Sequence, residues 1–323
     1  MPNSSLPYAV GRKTFSLVDS HRNDRTLGVE VWFPQHDGSG EPMMYELLPG
    51  VGFFGAARVG GVPIEGNLPW VILSHGHMGT RLVYSQLCEA LAASGHAVFS
   101  LDHPGDTLFD VVSGAGVDEE TNIALRIGDL DFLYQSIAEK TDGFDHGLTL
   151  AHSDMSLVGH SFGAYSVMAW AGSSRGREVT RSVVCLQPYL MQLTSSQLSA
   201  VASPVLVLAG SQDVTTPIAT NVLPVIPHLT SPTTVIELEG VGHQGCSDVA
   251  LYIETAPTIP GIPDFVVEFL NTMAGDTTGV AGEPWRPVRD AHIELVTTWL
   301  AQPEVPAGVV ECAARHRGQV LSS

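Results

Sequence analysis

Three residues in this sequence have the types and settings of a nucleophile, its acid and its base: Ser161, Asp213 and His243. Ser161 lies in Gly159-His160-Ser161-Phe162-Gly163, directly after the apolar run Leu157-Val158. G-x-S-x-G between a strand and a helix is the pattern of a nucleophile elbow, whose tight turn exposes the serine hydroxyl above the sheet. The pattern alone recurs by chance, and its plain reading is a capping serine at an ordinary turn. The apolar strand before it and the helical stretch after it favour the elbow. A serine hydroxyl is a weak nucleophile at neutral pH; it needs a base, and the base needs an orienting acid. Behind an elbow serine the chain order is Asp or Glu, then His. Asp213 in PVLVLAGSQDVTTP and His243 in IELEGVGHQGCSD follow that order. Each stands just past an apolar run, at the strand end where open α/β sheets carry their sites. The competing readings are a turn aspartate and a surface-loop histidine.

Acyl transfer passes through an oxyanion, which needs N–H donors already in place. One is expected from the backbone of Phe162, next after the serine. The second is expected from Ser74-His75-Gly76-His77-Met78-Gly79: the amide of His77 by position, with Met78 as the alternative. The imidazoles of His75, His77, His103 and His160 do not make a metal site, because no carboxylate or cysteine completes a ligand set. His75 and His160 read as packing or hydrogen-bonding residues. Met78, His103, Pro188, Tyr189 and Met191 follow strand ends and are the candidate pocket walls, against a plain loop or core role. Walls with few charges suit a hydrophobic or aromatic ester.

Elements of alternating type must hold these residues. Lys13–Val18 and Leu27–Phe33 read as an antiparallel pair of strands. Trp70–Leu73, Ala97–Leu101, Met155–Val158, Ser182–Leu186, Val205–Leu208 and Thr234–Leu238 are short apolar runs of the kind buried in a parallel sheet. Helices are expected over Leu82–Ala93, Glu119–Ala138, Phe162–Ala171 and His292–Leu300. The repeat implies an α/β fold, a mainly parallel sheet with helices on both faces. Residues 48–68 lack periodicity and read as a long loop. Residues 104–117 read as a Gly- and Asp-rich loop. Residues 249–289 break the repeat and read as an insertion, either a cap over the site or a contact between subunits. The chain from 303 onward reads as a tail, and the whole of 1–323 as one domain.

Composition sets the outer bounds. Apolar residues make up 44% and charged residues 15%, which supports a sizeable core. The formal charge is −19, and the lysines are Lys13 and Lys140 alone. Nucleic acid is repelled at long range, and an anionic membrane surface is disfavoured. No run reaches the ~18 apolar residues of a membrane span. The N-terminus has no basic flank followed by an apolar stretch, so a cytoplasmic location is expected. The four cysteines show no metal-ligand spacing. Cys88 and Cys185 read as core residues; Cys246 and Cys312 are candidates for pairing in an oxidising compartment.

On DRTLGVEVWFP, ILSHGHMGTR, GHSFGAYSV and GHQGCSD, the sequence resembles the platelet-activating-factor acetylhydrolase and dienelactone-hydrolase-like branch of the α/β-hydrolases, near the bacterial polyester hydrolases and cutinases. The resemblance runs over roughly residues 8–248 and the last helix. Two departures stand out. CLQPYLMQL offers no carboxylate at the alternative acid position of the mammalian acetylhydrolases, and 249–289 has no counterpart. The resemblance implies an α/β-hydrolase fold and serine-dependent hydrolysis of a small to medium apolar or aromatic ester, with no cofactor or metal. An amidase or lactonase on the same triad is the alternative, as is a non-catalytic binding protein on the same fold. The expected partner is the small-molecule ester, with no nucleic acid and no membrane span, and with oligomerisation open through 249–289.

Overall fold

The short apolar runs assemble into one sheet. The structure, a computed structural model, describes residues 8–48, 50–140, 144–262, 264–273, 275–278 and 284–322. The chain begins with β1 (Ala9–Asp19), β2 (Arg25–Gln35), β3 (Glu41–Leu48), β4 (Val51–Val59) and β5 (Leu68–Ser74). Then come α1 (Ser85–Ala93), β6 (Ala97–Leu101), α2 (Leu108–Val112), α3 (Glu119–Ala138), β7 (Leu150–His160) and α4 (Phe162–Ala171). Next are α5 (Ser174–Val179), β8 (Thr180–Leu186), α6 (Ser195–Ala200), β9 (Val205–Gly210), α7 (Ile218–Asn221) and β10 (Thr233–Leu238). The chain closes with α8 (Val249–Thr255), α9 (Asp264–Thr272), α10 (Gly275–Thr278), α11 (Trp285–Ala301), α12 (Ala307–Arg315) and β11 (Gly318–Ser322).

The strand order is β11-β10-β9-β8-β7-β5-β6-β2-β1-β4-β3. From β10 to β6 all neighbours run parallel. β2 joins β6 antiparallel, and β1 pairs β2 over its whole length. β6 and β9 are buried at every position, as strands covered on both faces must be. One face packs against α1, α8, α11 and α12, through residues such as Leu87, Leu91, Tyr252, Leu295 and Val309. The other face packs against α3, α4 and α6, through Leu130, Leu133, Tyr165, Met168 and Leu198.

Four expectations change. Residues 48–68 are not one loop, since β4 runs through them and pairs antiparallel with β3. A polar chain holds that hairpin to the body. Trp32 Nε1 donates to the Tyr45 hydroxyl (2.7 Å), which donates to Glu89 on α1 (2.7 Å). Glu89 also accepts the N–H groups of Ala56 and Ala57. Gly55 lets this carboxylate in, since a Cβ there would sit 2.2 Å from Glu89 Oε1. The chain beyond 303 is no tail: Val309, Cys312 and Ala313 bury one face of α12, and β11 pairs antiparallel with β10. Residues 104–117 contain α2, closed by a capping box between Thr107 and Asp110. The four cysteines are buried free thiols, so Cys246 and Cys312 do not pair. Among the described residues no helix is long and apolar enough to cross a membrane.

The described parts of 249–289 are α8, a 3₁₀ turn at Ala256–Thr258, α9, α10 and the first turn of α11. Their anchor is Asp248. Its carboxylate accepts the Ser85 hydroxyl (2.6 Å) and the Gln86 N–H (3.3 Å), in the first turn of α1, and its own N–H donates to Val83 O (2.7 Å). Burial pushes the Asp248 carboxyl up to about 7. Below the ordinary aspartate range, about pH 4, folded and unfolded chains both hold the proton. As pH rises toward about 7, the unfolded chain ionises first and Asp248 lowers stability increasingly. Asp248→Asn keeps an acceptor for both donors and removes that loss. Its melting temperature should exceed wild type at pH 8, and do so by much less at pH 4.5; an equal offset at both would contradict the assignment.

Candidate active site

The elbow forms because two backbones touch. β7 ends at His160, α4 begins at Phe162, and Ser161 between them has φ 53° and ψ −118°. A Cβ on Gly163 would sit 2.1 Å from Ser74 O, and one on Gly159 would sit 2.4 Å from Gly163 O. Only glycine fits at either place, so the motif's spacing has a steric cause. The strained serine is held from both sides: its N–H donates to Leu186 O (3.0 Å), and its carbonyl accepts from the N–H of Tyr189 (3.0 Å).

Ser161 Oγ lies 3.0 Å from His243 Nε2, and His243 Nδ1 lies 2.9 Å from Asp213 Oδ2. All three side chains are buried. Asp213 is bound on both oxygens. Oδ1 accepts the N–H groups of Thr215 (2.9 Å) and Thr216 (2.8 Å), and Oδ2 accepts the Thr216 hydroxyl (2.7 Å). Burial alone would raise this carboxyl, but the hydrogen bonds from His243 and Thr216 hold it below the ordinary value. It is therefore an anion at neutral pH, able to fix Nδ1–H and leave Nε2 free to accept a proton. Asp102 pairs with Arg81, and Asp248 with Ser85, so neither competes for His243.

A polar relay sets the histidine loop. The Gly76 N–H donates to the Tyr84 hydroxyl (3.3 Å), and Tyr84 donates to His160 Nδ1 (2.7 Å). His160 Nε2 then donates to the carbonyl of His243 (2.9 Å). This direction requires a neutral His160. Burial, with His243 beside it, lowers the His160 imidazole to about 3. His160 thus ties the loop before α1 to the loop that carries His243. From its other side that loop is fixed by α10: the N–H groups of Gly242 and Gln244 donate to Thr277 O (3.1 Å) and Asp276 O (2.6 Å).

The second loop holds its amides through buried charge. Arg126 on α3 is fully buried and donates to the carbonyls of His75 (2.8 Å) and Gly76 (3.2 Å) and to Asp106 Oδ2 (2.8 Å). Asp106 also binds the imidazole of His77, whose pKa it raises. The N–H of Met78 donates to Asp106 O (3.2 Å). That decides between the two candidate donors, since the Met78 amide is occupied. The amides of His77 and Phe162 have no acceptor among the described residues. Arg126, Thr216 and Tyr84 escaped the sequence reading. Thr216 was the most accessible, as a hydroxyl three residues after the acid.

The expected pocket residues divide. Met78 borders a cavity of about 230 Å³ that Ser161 and His243 also line. Tyr189 and Phe162 border a second cavity of about 320 Å³ on the other side of Ser161. His77 borders both. His103 is not a wall: it is fully buried, bound to Ser74 Oγ (2.8 Å) and to Asp129 (3.0 Å). Pro188 is buried and lines neither cavity, and Met191 is turned to solvent. Leu270 and Met273 from α9 and the turn after it, with Val249 from α8, close over the first cavity.

With this geometry in place, known proteins give a family. The family of platelet-activating factor acetylhydrolase, isoform II, matches residues 58–109 and 143–257, just over half of the chain. The chain belongs to this family. This acetylhydrolase-family protein is also 27% identical over 115 residues to a probable 1-alkyl-2-acetylglycerophosphocholine esterase of Arthroderma benhamiae. That alignment covers 32% of the chain but spans only 27% of the relative's own length. A ferulic acid esterase from Streptomyces cinnamoneus superposes over 100% of this chain and 98% of its own, with TM-score 0.78 at 20% identity. The likeness is one of fold, and the fold is that of the α/β-hydrolases. A dienelactone hydrolase from Anabaena variabilis superposes less closely, at TM-score 0.48 and 17% identity, over 81% of this chain and 96% of its own.

The relay predicts a specific defect in this acetylhydrolase-family protein. Tyr84→Phe leaves the Gly76 N–H and His160 Nδ1 buried without partners. Urea unfolding should register a loss of about 1–3 kcal/mol. A loss below the error of the measurement would mean that water or a rearranged loop takes the place of the hydroxyl.

Proposed function

We propose that this protein is a carboxylic ester hydrolase that works through Ser161, His243 and Asp213. The observation that carries this reading is the continuous path Ser161 Oγ–His243 Nε2 (3.0 Å) and His243 Nδ1–Asp213 Oδ2 (2.9 Å), opening on a cavity bordered by the loop of the His77 amide. Membership of an acetylhydrolase family supports it. Oγ attacks the ester carbonyl as its proton passes to Nε2. The oxyanion accepts the N–H groups of His77 and Phe162. The intermediate collapses as Nε2 returns the proton to the alkoxy oxygen, and the alcohol leaves. Water, activated by His243, then frees the acid from the serine. Asp213 stays ionised and stabilises the imidazolium. These steps use this chain's own residues throughout.

The substrate class is a small to medium apolar or aromatic ester. The first cavity, with Val83, Leu108, Val249, Leu270 and Met273 on its walls, favours such a group. Residues 249–289 act as a lid in this reading, because Leu270 and Met273 lie over the cavity that holds the serine.

Hydrolysis of p-nitrophenyl esters by the purified protein tests the proposal directly. Ser161→Ala should abolish turnover and labelling by a fluorophosphonate probe, with the fold unchanged by circular dichroism. Asp213→Asn should lower kcat by a factor of about 10³–10⁴. Binding of an ester without turnover by wild type, and no labelling, would mark a binding protein. Turnover of amides or lactones in preference to esters would move the activity to those classes.

A further inference from the structure

Ser161 stands on the wall between the two cavities, and the halves of an ester diverge from its carbonyl carbon. Each cavity is therefore placed to take one half, and proton delivery decides which. When the tetrahedral intermediate collapses, the bond from the acyl carbon to the alkoxy oxygen breaks, and that oxygen takes the proton held on His243 Nε2. The alkoxy oxygen must then lie within hydrogen-bond reach of Nε2. His243 borders the first cavity and does not border the second. Gln244, next in the chain, lies on the same wall.

We propose that the apolar cavity under α9 is the alcohol subsite, and that the cavity lined by Glu119, Asn122, Phe162 and Tyr189 is the acyl subsite. This rests on the serine mechanism set out above. The walls then define both halves of the substrate. The alcohol side is apolar, with Val83, Leu108, Leu270 and Met273. The acyl side carries an acceptor with capacity to spare. Glu119 Oε1 accepts the Tyr189 hydroxyl (3.1 Å), and its other oxygen has no partner among the described residues. Asn122 borders the cavity but is only 3% exposed and hydrogen-bonds Asp106 through its side chain. Phe162 and Tyr189 meet edge to face beside them, with ring centroids 5.9 Å apart. An acyl group with a flat apolar body and a hydroxyl fits this wall better than a plain alkyl chain. The preferred substrate is the ester of an apolar alcohol with a hydroxylated, aromatic-bearing acid.

Two ester series separate the subsites: acetates of alcohols of rising size, and ethyl esters of acids of rising size. Of the two cavities, Met273 lines only the first and Val117 only the second. Met273→Trp should lower kcat/KM for octyl and naphthyl acetates roughly tenfold. Deacylation of the acetyl-enzyme, which has already lost its alcohol, should keep its wild-type rate. Val117→Trp should leave the acetates alone, lower kcat/KM for ethyl phenylpropionate by a similar factor, and slow deacylation of the phenylpropionyl-enzyme. The reverse pattern, or equal effects on both series, overturns the assignment. Met273→Phe and Val117→Phe serve if a tryptophan variant fails to fold. Wild type should prefer the para-hydroxyphenylpropionate over the phenylpropionate, and Glu119→Ala should erase that preference. A wild type indifferent to the hydroxyl overturns the hydroxyacyl reading. Turnover with no acyl adduct on Ser161 by mass spectrometry overturns the serine mechanism instead, and with it the basis for dividing the cavities.

Discussion

The backbone of Gly163 presses against the carbonyls of Ser74 and His75, where a Cβ would stand 2.1 Å and 2.7 Å from the two oxygens. That contact brings the start of α4 onto the end of β5. It fixes three things at once. Ser161 is forced into its positive-φ turn, the Phe162 amide is left outside the helix ladder, and the loop after β5 is brought beside it. Ser161 and the two amides proposed as oxyanion donors are thus set by one steric constraint and not by three separate ones. A methyl group at 163 would part these backbones, and the amides would no longer converge.

Buried charge then stiffens what sterics brings together. Arg126 cannot reach water, and burial works against its charge. It is compensated by Asp106 and by carbonyls of the loop beside the serine. Breaking such a group costs several kcal/mol, so the loop has little freedom to drift. Close by, Ser74, His103 and Asp129 form a second serine–histidine–aspartate array, with contacts of 2.8 Å and 3.0 Å. Its members are fully buried, and Arg22 and Arg25 also bind Asp129. The same side-chain types therefore serve as scaffold in one place and as candidate chemistry a few residues away. The difference lies in access and in the elbow geometry of Ser161.

Much of this was legible in the chain. Strongly apolar runs located β5 to β10, because strands buried on both faces show no competing periodicity. The extent of α3 followed from helical spacing, that of α4 from its place behind the G-x-S-x-G turn, and Ser161, Asp213 and His243 from order and from strand ends. The hairpin of β3 and β4 was illegible because Gly52 and Gly55 interrupt its alternation, while Tyr45, Glu89 and two backbone amides supply its hold. Those contacts are long-range and leave no local pattern. The ending was readable in principle: Val309, Cys312 and Ala313 have helical spacing. It was missed because β11 is short and gains its place only from the edge of β10. Polar partners such as Arg126 and Tyr84 are set by tertiary geometry, and no spacing in the chain announces them.

The two outermost strands have a consequence for how copies of this chain behave toward one another. A sheet that ends in an unpaired strand offers free N–H and carbonyl groups to any passing strand. At one end β3 presents Glu41, Pro42 and Glu46, and its pairing with β4 is broken by two irregularities. Proline, acid and bulge all discourage strand addition. At the other end β11 caps β10, whose Val235, Ile236 and Leu238 are buried. Residues 318–322 thus keep the apolar edge of β10 from standing open. A chain cut before 318 would bare a β-rich edge with no such deterrent, and its failing would be loss as aggregate more than loss of chemistry.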